Sequence, residues 1–305
     1  NMFLIVGGTG AMGSAAARLL LQRGHKVRVM TREPNRAAAL KELGAEVVQG
    51  DLRDKDSLAR ACAGMDGVLA AAHSIFGRGS EASVHVDALG HKWLINVAQE
   101  AGVRHFVYTS AFGVSPTHPA QFYRIKHEVE QYLQHSGLAH TILRPTAFME
   151  SHAHMLIGQP ILETGKVQLF GRGENPRNFV AAQDVAQFAV LALTTPQMAG
   201  EIIEIGGPDN WTNMEVVRLY ERLAGKQAKV SHVPLGVLRV MAGVIRPFHP
   251  GLSQVMSASI WFDTTDQTFD PRPTSRKYPM PLTKLETWVE KQVATNLDSA
   301  PAVAS

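Results

Sequence analysis

The chain has 305 residues, of which 45% are hydrophobic and 19% are charged, a composition that provides for a large buried core and excludes a disordered chain. The formal net charge is +3, a mild basic bias that suits an anionic ligand, and no dense Lys/Arg run occurs, so we expect no nucleic-acid partner. The single cysteine, Cys62, excludes an internal disulfide; with no leader and no apolar run of membrane length, we expect a cytoplasmic protein without a membrane span.

The first 145 residues alternate short apolar runs with helix-length segments. This alternation predicts an α/β fold with a doubly wound parallel sheet, because each crossover helix returns the chain to the start of the next strand. The predicted strands are residues 3–6, 26–30, 46–49, 67–71, 104–108 and 140–143. The predicted helices are residues 11–23, 35–43, 55–63, 86–101 and 121–136.

After Pro145 the pattern becomes less regular. We expect residues 1–150 to form the first domain and residues 151–298 a smaller, mostly helical region for substrate binding. A helix and strand within about 179–206 are predicted to return to the first sheet, and 299–305 to be a frayed tail. The further predicted elements are helices 154–163, 183–193, 212–224, 235–245, 252–261 and 282–294, and strands 166–170 and 201–205.

A glycine-rich segment lies directly between the first predicted strand and the first predicted helix. Glycines there permit a tight turn, let a pyrophosphate approach the backbone and bring the helix close to the strand, while the helix N-terminus attracts phosphate. The segment therefore predicts a Rossmann-type dinucleotide site in residues 1–150, with an ordinary glycine-rich turn as the alternative. Its residues are Gly7, Gly8, Thr9, Gly10, Ala11, Met12 and Gly13.

The second strand leads into Thr31-Arg32-Glu33. A guanidinium at this position suits the 2′-phosphate of NADP, whereas an acid suits the ribose of NAD. We therefore expect NADP(H) as the preferred cofactor and NAD(H) as a possible one. Glu33 could be the acid that binds the ribose of NAD, and Arg32 could instead be a solvated loop charge.

Two further strand ends carry residues that suit the cofactor. Asp51 could accept a hydrogen bond from the adenine amino group while Leu52 packs on the ring, although an Asp here could equally cap the next helix. Ala71 and Ala72 are small enough to let the backbone approach the cofactor, and they would also suit a tight core.

Together these segments resemble the extended and atypical short-chain dehydrogenase/reductase superfamily, and specifically its NmrA-like branch. The resemblance covers roughly residues 2 to 206. Besides the glycine-rich turn and Asp51-Leu52, it rests on the segments Tyr108-Thr109-Ser110-Ala111, Leu143-Arg144-Pro145-Thr146-Ala147-Phe148 and Phe179-Val180-x-x-x-Asp184-Val185-Ala186.

The resemblance implies Lys126 and Ser110 as catalytic residues. Active members carry a Tyr four positions before the Lys, but Phe122 stands there, and Phe has no proton to transfer. Tyr123 lies about 100° around the helix from that position and could replace the missing Tyr only if the helical register differed. Lys126 would then bind the ribose and could act as the acid; the alternative is a surface lysine of the helix. The resemblance also places Thr109, Pro145, Thr146 and Phe148 at the cofactor; Asp184 is interpreted as a helix cap.

The sequence signals for substrate binding are less specific than those for the cofactor. Thirteen histidines show no zinc-type spacing, so we expect no metal, although one of His73, Ser74, His152 and His154 could contact a substrate. The apolar stretch 234–262 is explained by a core, an apolar pocket or an interface between copies of the chain.

The family resemblance and the missing Tyr are compatible with two functions. The first is an NADPH-dependent oxidoreductase that reduces a small apolar carbonyl, enone or quinone without the usual Tyr. The second is a non-catalytic NADP(H)-binding sensor, regulator or assembly protein. A sugar-nucleotide epimerase is disfavoured because that reaction needs the missing Tyr.

Overall fold

The computed structural model describes residues 1–299. The strands, in chain order, are β1 (Met2–Val6), β2 (Lys26–Thr31), β3 (Glu46–Gln49), β4 (Gly67–Ala70), β5 (His105–Thr109), β6 (His140–Pro145), β7 (Ala147–Phe148), β8 (Lys166–Phe170), β9 (Arg177–Val180), β10 (Ile202–Ile205), β11 (Asn210–Trp211) and β12 (Lys229–Val233). The α-helices are α1 (Ala11–Gln22), α2 (Ala38–Glu42), α3 (Lys55–Cys62), α4 (His91–Glu100), α5 (Gln121–Gln134), α6 (Gln159–Thr164), α7 (Ala182–Thr194), α8 (Asn213–Ala224), α9 (Leu235–Ile245), α10 (Pro250–Thr264), α11 (Arg272–Lys277) and α12 (Leu285–Ser299).

The central sheet confirms the predicted fold class. Its seven strands run in the order β10-β6-β5-β4-β1-β2-β3, and every neighbouring pair is parallel. The strand order reverses between β1 and β4. In open parallel sheets, ligands bind at such a switch point, beyond the carboxyl ends of the strands.

Burial on both faces explains why the strands are almost uniformly apolar. In β1 and β4 the residues from Phe3 to Val6 and from Val68 to Ala70 are at most 1% exposed. One face packs against α3, α4 and α5, whereas α1 and α7 pack together and contact the sheet. The chain divides into two compact units, of which the first contains Asn1–Pro145, Ala182–Ile205 and Val244–Val255.

Three helical segments differ from the predicted regular helices. The segment predicted as one helix at 35–43 begins with a 3₁₀ turn, Pro34–Ala37, before α2. The segment predicted as one helix at 86–101 begins with a π-helical stretch, Val84–Gly90, before α4. A Cβ on Gly90 would lie 2.8 Å from the Leu52 Cβ, so this wider turn packs closely on the loop after β3. A second π-helical stretch, Met149–Gly158, precedes α6 where the sequence predicted a helix at 154–163.

The second unit contains Thr146–Ala181, Gly206–Gly243 and the chain from Met256 onward. It holds a three-stranded sheet, β11-β9-β7, and a parallel pair, β12-β8. Buried side chains from α6, α8 and α12, including Tyr220, belong to one hydrophobic core. Of the segment predicted to return to the first sheet, α7 and β10 belong to the first unit, whereas β9 pairs inside the second.

Ser299 ends α12, and the rest of the predicted tail lies outside the described residues. Across residues 1–299, none of the helices is both long enough and apolar enough to cross a bilayer.

Candidate functional site

The glycine-rich turn connects β1 to α1 at the switch point of the sheet. Gly7 has a φ of +90°, a left-handed conformation that favours glycine, and a Cβ there would lie 2.6 Å from the Ala72 backbone nitrogen. A Cβ on Gly13 would lie 2.3 Å from the Gly7 carbonyl oxygen. The turn therefore brings α1 against β1, and β1 against the backbone that follows β4, as tightly as the chain permits.

The first turn of α1 is open to an anion. Gly10 is exposed, its added Cβ would meet only the Gly7 oxygen at 3.5 Å, and no described side chain caps the helix. No acidic residue lies in the first helical turn. The free N–H groups and the helix dipole therefore favour a bound phosphate at this end.

Charged side chains meet beyond the ends of β2 and β3. The Arg32 Nη1 lies 2.6 Å from a Glu81 carboxylate oxygen, and Glu33 lies against Arg36 instead, at 3.7 Å. Asp51 accepts from Arg53 Nε at 3.0 Å and from Arg53 Nη2 at 2.6 Å. Hydrogen bonding from Arg53 lowers the pKa of Asp51, so Asp51 is a carboxylate at neutral pH.

Of the remaining residues predicted at the adenosine end, Leu52 is buried and Thr31 is 8% exposed. The Thr31 Oγ1 accepts from the Glu33 N–H at 3.2 Å and so shapes the turn that carries Arg32. Ala71 and Ala72 are half-buried, and the Ala71 N–H donates to the Val6 carbonyl at 2.8 Å. The sequence reasoning missed Arg53 and Glu81, because no motif marks either one.

Two hydroxyl groups at the end of β5 have no hydrogen-bond partner among the described residues. They are the Thr109 Oγ1 and the Ser110 Oγ, in residues that are 7% and 5% exposed. The Ser110 N–H donates to the Leu143 carbonyl at 2.7 Å, which holds this residue beside β6. Buried hydroxyl groups without partners are uncommon, so these two suit a polar ligand.

Lys126 projects from α5 to the end of β5. Its Nζ donates to the Thr109 carbonyl at 2.8 Å, and the residue is only 4% exposed. The ammonium lies 4.9 Å from the Tyr108 ring centroid and 5.4 Å from that of Phe122. Lys126 is therefore not a surface lysine of the helix.

Phe122, not Tyr123, lies against Lys126. The Tyr123 ring stacks on His118 at a centroid distance of 4.3 Å, while Phe122 contacts the exposed His73 edge-on at 6.0 Å. The structure thus keeps the helical register in which Phe occupies the position of the family Tyr.

Several ionisable groups surround Lys126. Burial lowers the pKa of Lys126 to about 8, and the carboxylates of Asp87 and Glu130 act against that shift. Asp87 is fully buried in the π-helical stretch and accepts from the Ser74 N–H at 3.1 Å. Burial raises the pKa of Asp87, and the Lys126 charge opposes this.

His91 adds a neutral imidazole to the same region. Its Nδ1 lies 3.0 Å from the Asp87 carbonyl oxygen, which can only accept, so Nδ1 carries the proton. Burial lowers the pKa of His91 to about 3. Glu130 is held by two hydrogen bonds from Arg144, at 3.0 and 2.6 Å. Neither Asp87 nor His91 was predicted, since the packing of the π-helical stretch places them here.

The residues predicted after β6 are distributed over both units. Pro145 ends β6 and its carbonyl accepts from the Phe112 N–H at 2.9 Å. Thr146 and Phe148 belong to the second unit, where the Thr146 hydroxyl donates to the Asn178 side chain at 2.9 Å and Phe148 is half-buried in β7.

The two histidines after β7 lie among core side chains of the second unit. His152 is 3.3 Å from an Arg177 Nη and edge-on to Phe262, while His154 lies 3.0 Å from the Tyr220 hydroxyl. Within residues 1–299, no group of three His, Cys, Asp or Glu side chains is placed to hold a metal ion.

Comparisons with known proteins cover most or nearly all of the chain. The profile of the NmrA-like family matches residues 1–298. The photosystem II assembly factor Ycf39 of Synechocystis sp. is 34% identical over 251 residues, covering 80% of this chain and 74% of that protein. The NAD(P)H azoreductase of Xenophilus azovorans is 31% identical over 234 residues, covering 77% of this chain and 78% of that protein.

Solved structures share the fold at lower identity. An Escherichia coli NADPH-dependent quinone oxidoreductase, complexed with NADPH, superposes with a TM-score of 0.76 at 22% identity, covering 97% of this chain and 100% of that one. The Citrobacter sp. triphenylmethane reductase complexed with NADP(H) gives 0.75 at 18% identity, covering 96% and 100%. The family match over nearly the full length, the curated relatives and the parallel sheet agree, and the chain belongs to the NmrA-like family.

Proposed function

We propose that this protein binds NADP(H) at the carboxyl ends of β1, β2 and β4 and reduces a small apolar carbonyl, enone or quinone. The observation that carries the proposal is the uncapped N-terminus of α1, which lies at the switch point of the sheet behind a bare glycine turn. Backbone N–H groups there would hold the pyrophosphate, since neither an acidic residue nor a side-chain cap competes for them.

The nicotinamide end of the cofactor would lie at Ser110 and Lys126. The buried hydroxyl groups of Thr109 and Ser110 lack partners within the described chain and fit a polar ligand. The Lys126 ammonium would donate to the ribose hydroxyl groups. The half-buried Ala71 and Ala72 would leave room for the cofactor beside the glycine turn.

Reduction of a carbonyl needs a hydride and a proton. When bound, NADPH would supply the hydride to the electrophilic carbon. Ser110 would donate a hydrogen bond to the carbonyl oxygen, and Lys126 would give that oxygen its proton and regain one from solvent. A pKa of about 8 suits this role because the ammonium is present at neutral pH and still releases a proton readily.

Phe122 supports an apolar substrate. Its ring occupies the place of the family Tyr, so it offers a flat apolar surface in place of a hydroxyl group. A relative that is 31% identical to this chain is described as an NAD(P)H azoreductase, so an azo compound belongs in the substrate panel.

The test is a titration followed by a screen. We expect NADPH to bind in calorimetry and to be oxidised in the presence of at least one member of a panel of quinones, enones and azo dyes. Lys126→Ala should abolish that oxidation, whereas Lys41→Ala, which removes an exposed lysine of α2, should leave it intact. Tight binding with no turnover across the panel would refute the reductase.

The second candidate is a non-catalytic NADP(H)-binding assembly or regulatory protein. Two observations favour it: the family Tyr is replaced by Phe122, and the relative that is 34% identical is described as an assembly factor. For this function, Lys126→Ala would change cofactor affinity and nothing else. Turnover that depends on Lys126 would contradict it.

A further inference from the structure

The carboxylate of Glu81 lies between two arginines that come from different strand ends. One Glu81 oxygen is 2.6 Å from Arg32 Nη1 and 4.0 Å from Arg53 Nη2. Arg32 follows β2 and Arg53 follows β3, so the sheet brings together two guanidinium groups that are 21 positions apart in the sequence. Both groups therefore converge on one point of negative charge.

Arg53 is held in place from its other sides. Asp51 accepts from its Nε and Nη2, and the Ser80 hydroxyl accepts from its Nη1 at 3.1 Å. Its side chain is 29% exposed, compared with 52% for Arg32. A guanidinium fixed in this way loses little side-chain entropy when it binds an anion. Because Asp51 occupies the Nε–Nη2 edge, a phosphate would contact the Nη2 group on the side that faces Glu81.

Glu81 is the easily displaced member of this group. Its side chain is 51% exposed and it ends the short 3₁₀ turn Gly79–Glu81. Exposed carboxylate–arginine pairs are weak because water and salt screen them. A phosphate carries more charge and more acceptor oxygens than a carboxylate, so it would displace Glu81 from the two arginines.

We infer that Arg32 and Arg53 together form the 2′-phosphate clamp for NADP(H), and that Glu81 occupies this clamp until the cofactor displaces it. The inference deepens the proposed cofactor binding and rests on it. It assigns Arg53 as a second specificity residue and Glu81 as an internal competitor that lowers the affinity for NADPH. Neither role concerns NADH, which has a hydroxyl group where NADPH carries the phosphate.

The experiment compares NADPH and NADH dissociation constants by calorimetry. Arg53→Ala should weaken NADPH binding about tenfold and leave NADH binding within about twofold, because one charge-assisted contact is lost. Glu81→Gln should tighten NADPH binding several-fold and leave NADH unchanged. Arg60→Ala, which removes an exposed arginine of the adjacent α3, should change neither constant.

Other outcomes would contradict the clamp, the role of Glu81 or the proposed cofactor binding itself. Equal losses for both dinucleotides in Arg53→Ala, with a melting temperature like that of the unsubstituted protein, would overturn the clamp. Weaker NADPH binding in Glu81→Gln would overturn the role of Glu81. Adenosine 2′,5′-bisphosphate and 5′-AMP serve as a second pair of probes, and the clamp requires Arg53→Ala to weaken the first alone. Failure of the unsubstituted protein to bind either dinucleotide would refute the proposed function itself.

Discussion

Lys126 shows how single residues acquire their properties from distant parts of the chain. Its ammonium is held by the Thr109 carbonyl of β5, lies over the Tyr108 ring and experiences the Asp87 carboxylate of the π-helical stretch. Burial disfavours the charged form, while the two nearby carboxylates favour it. The balance leaves a lysine that is charged at neutral pH and titrates close to it.

At the residue scale we predict that activity falls as the pH rises through about 8, because Lys126, the proposed proton donor, is then deprotonated. Asp87→Asn removes a negative charge that raises the Lys126 pKa, so this alkaline limb should move to lower pH. Glu130, His73 and His91 also face Lys126 and remain unchanged in this variant. The measurement is kcat/KM between pH 6 and pH 10.

The matched control for this prediction is Glu128→Gln. Glu128 lies on α5 like Lys126, but its carboxylate is exposed and pairs with Lys92. We expect the alkaline limb of Glu128→Gln to coincide with that of the unsubstituted protein. An unmoved limb in Asp87→Asn would show that Asp87 does not set the proton affinity of Lys126. If no substrate turns over, NADPH affinity gives the same pH midpoint.

Among the elements, the β1–α1 turn is held by close backbone contacts at both of its ends. Gly7 and Gly13 approach backbone atoms at distances that a side chain does not tolerate, and this closeness keeps the helix N-terminus at the sheet edge. By contrast, some glycines elsewhere face open space. Gly243 in α9 has no neighbour within 4 Å of an added Cβ.

At the element scale we predict opposite effects for two Gly→Ala substitutions. Gly13→Ala should lower the free energy of unfolding by about 2 kcal/mol, since the new Cβ forces the backbone apart, and should remove measurable NADPH binding. Gly243→Ala should raise the free energy of unfolding by up to about 1 kcal/mol, because alanine favours the helix, and should leave binding unchanged. Urea denaturation and calorimetry measure both quantities. Normal NADPH affinity in Gly13→Ala would contradict the role of the turn.

At the scale of the whole molecule, the glycine turn, Ser110 and Lys126 all belong to the first unit. A ligand that binds only the folded protein stabilises it by mass action. NADPH at one hundred times its dissociation constant should therefore raise the free energy of unfolding by about 2.7 kcal/mol. We expect a thermal-shift titration to show a melting temperature that rises with NADPH and rises less with the same concentrations of NADH. A melting temperature that does not change with either cofactor would contradict the prediction.

Much of the fold was predictable because it depends on local pattern. Apolar runs of four or five residues that alternate with helices leave few arrangements other than a parallel sheet. The glycine-rich turn was recognisable because its physical requirement falls on consecutive residues. Lys126 and Ser110 were identified through the family resemblance, and the structure brings both to the end of β5.

Other features could not be predicted from local sequence pattern. No spacing rule connects Glu81 with Arg32 and Arg53, or Asp87 with Lys126, since these pairs meet only after the strands have aligned and the chain before α4 has taken its π-helical course. The sequence also left open whether His152 and His154 contact a substrate, and packing places them among the side chains of the second unit.

The sequence by itself therefore determined the parallel sheet, the glycine turn and the replacement of the family Tyr by Phe122, because each follows from residues that are close along the chain. Only the tertiary structure decided which charges surround Lys126 and which carboxylate faces the two arginines. The physical reason is that electrostatic interactions depend on distance and burial in space, and both are set by how the elements pack.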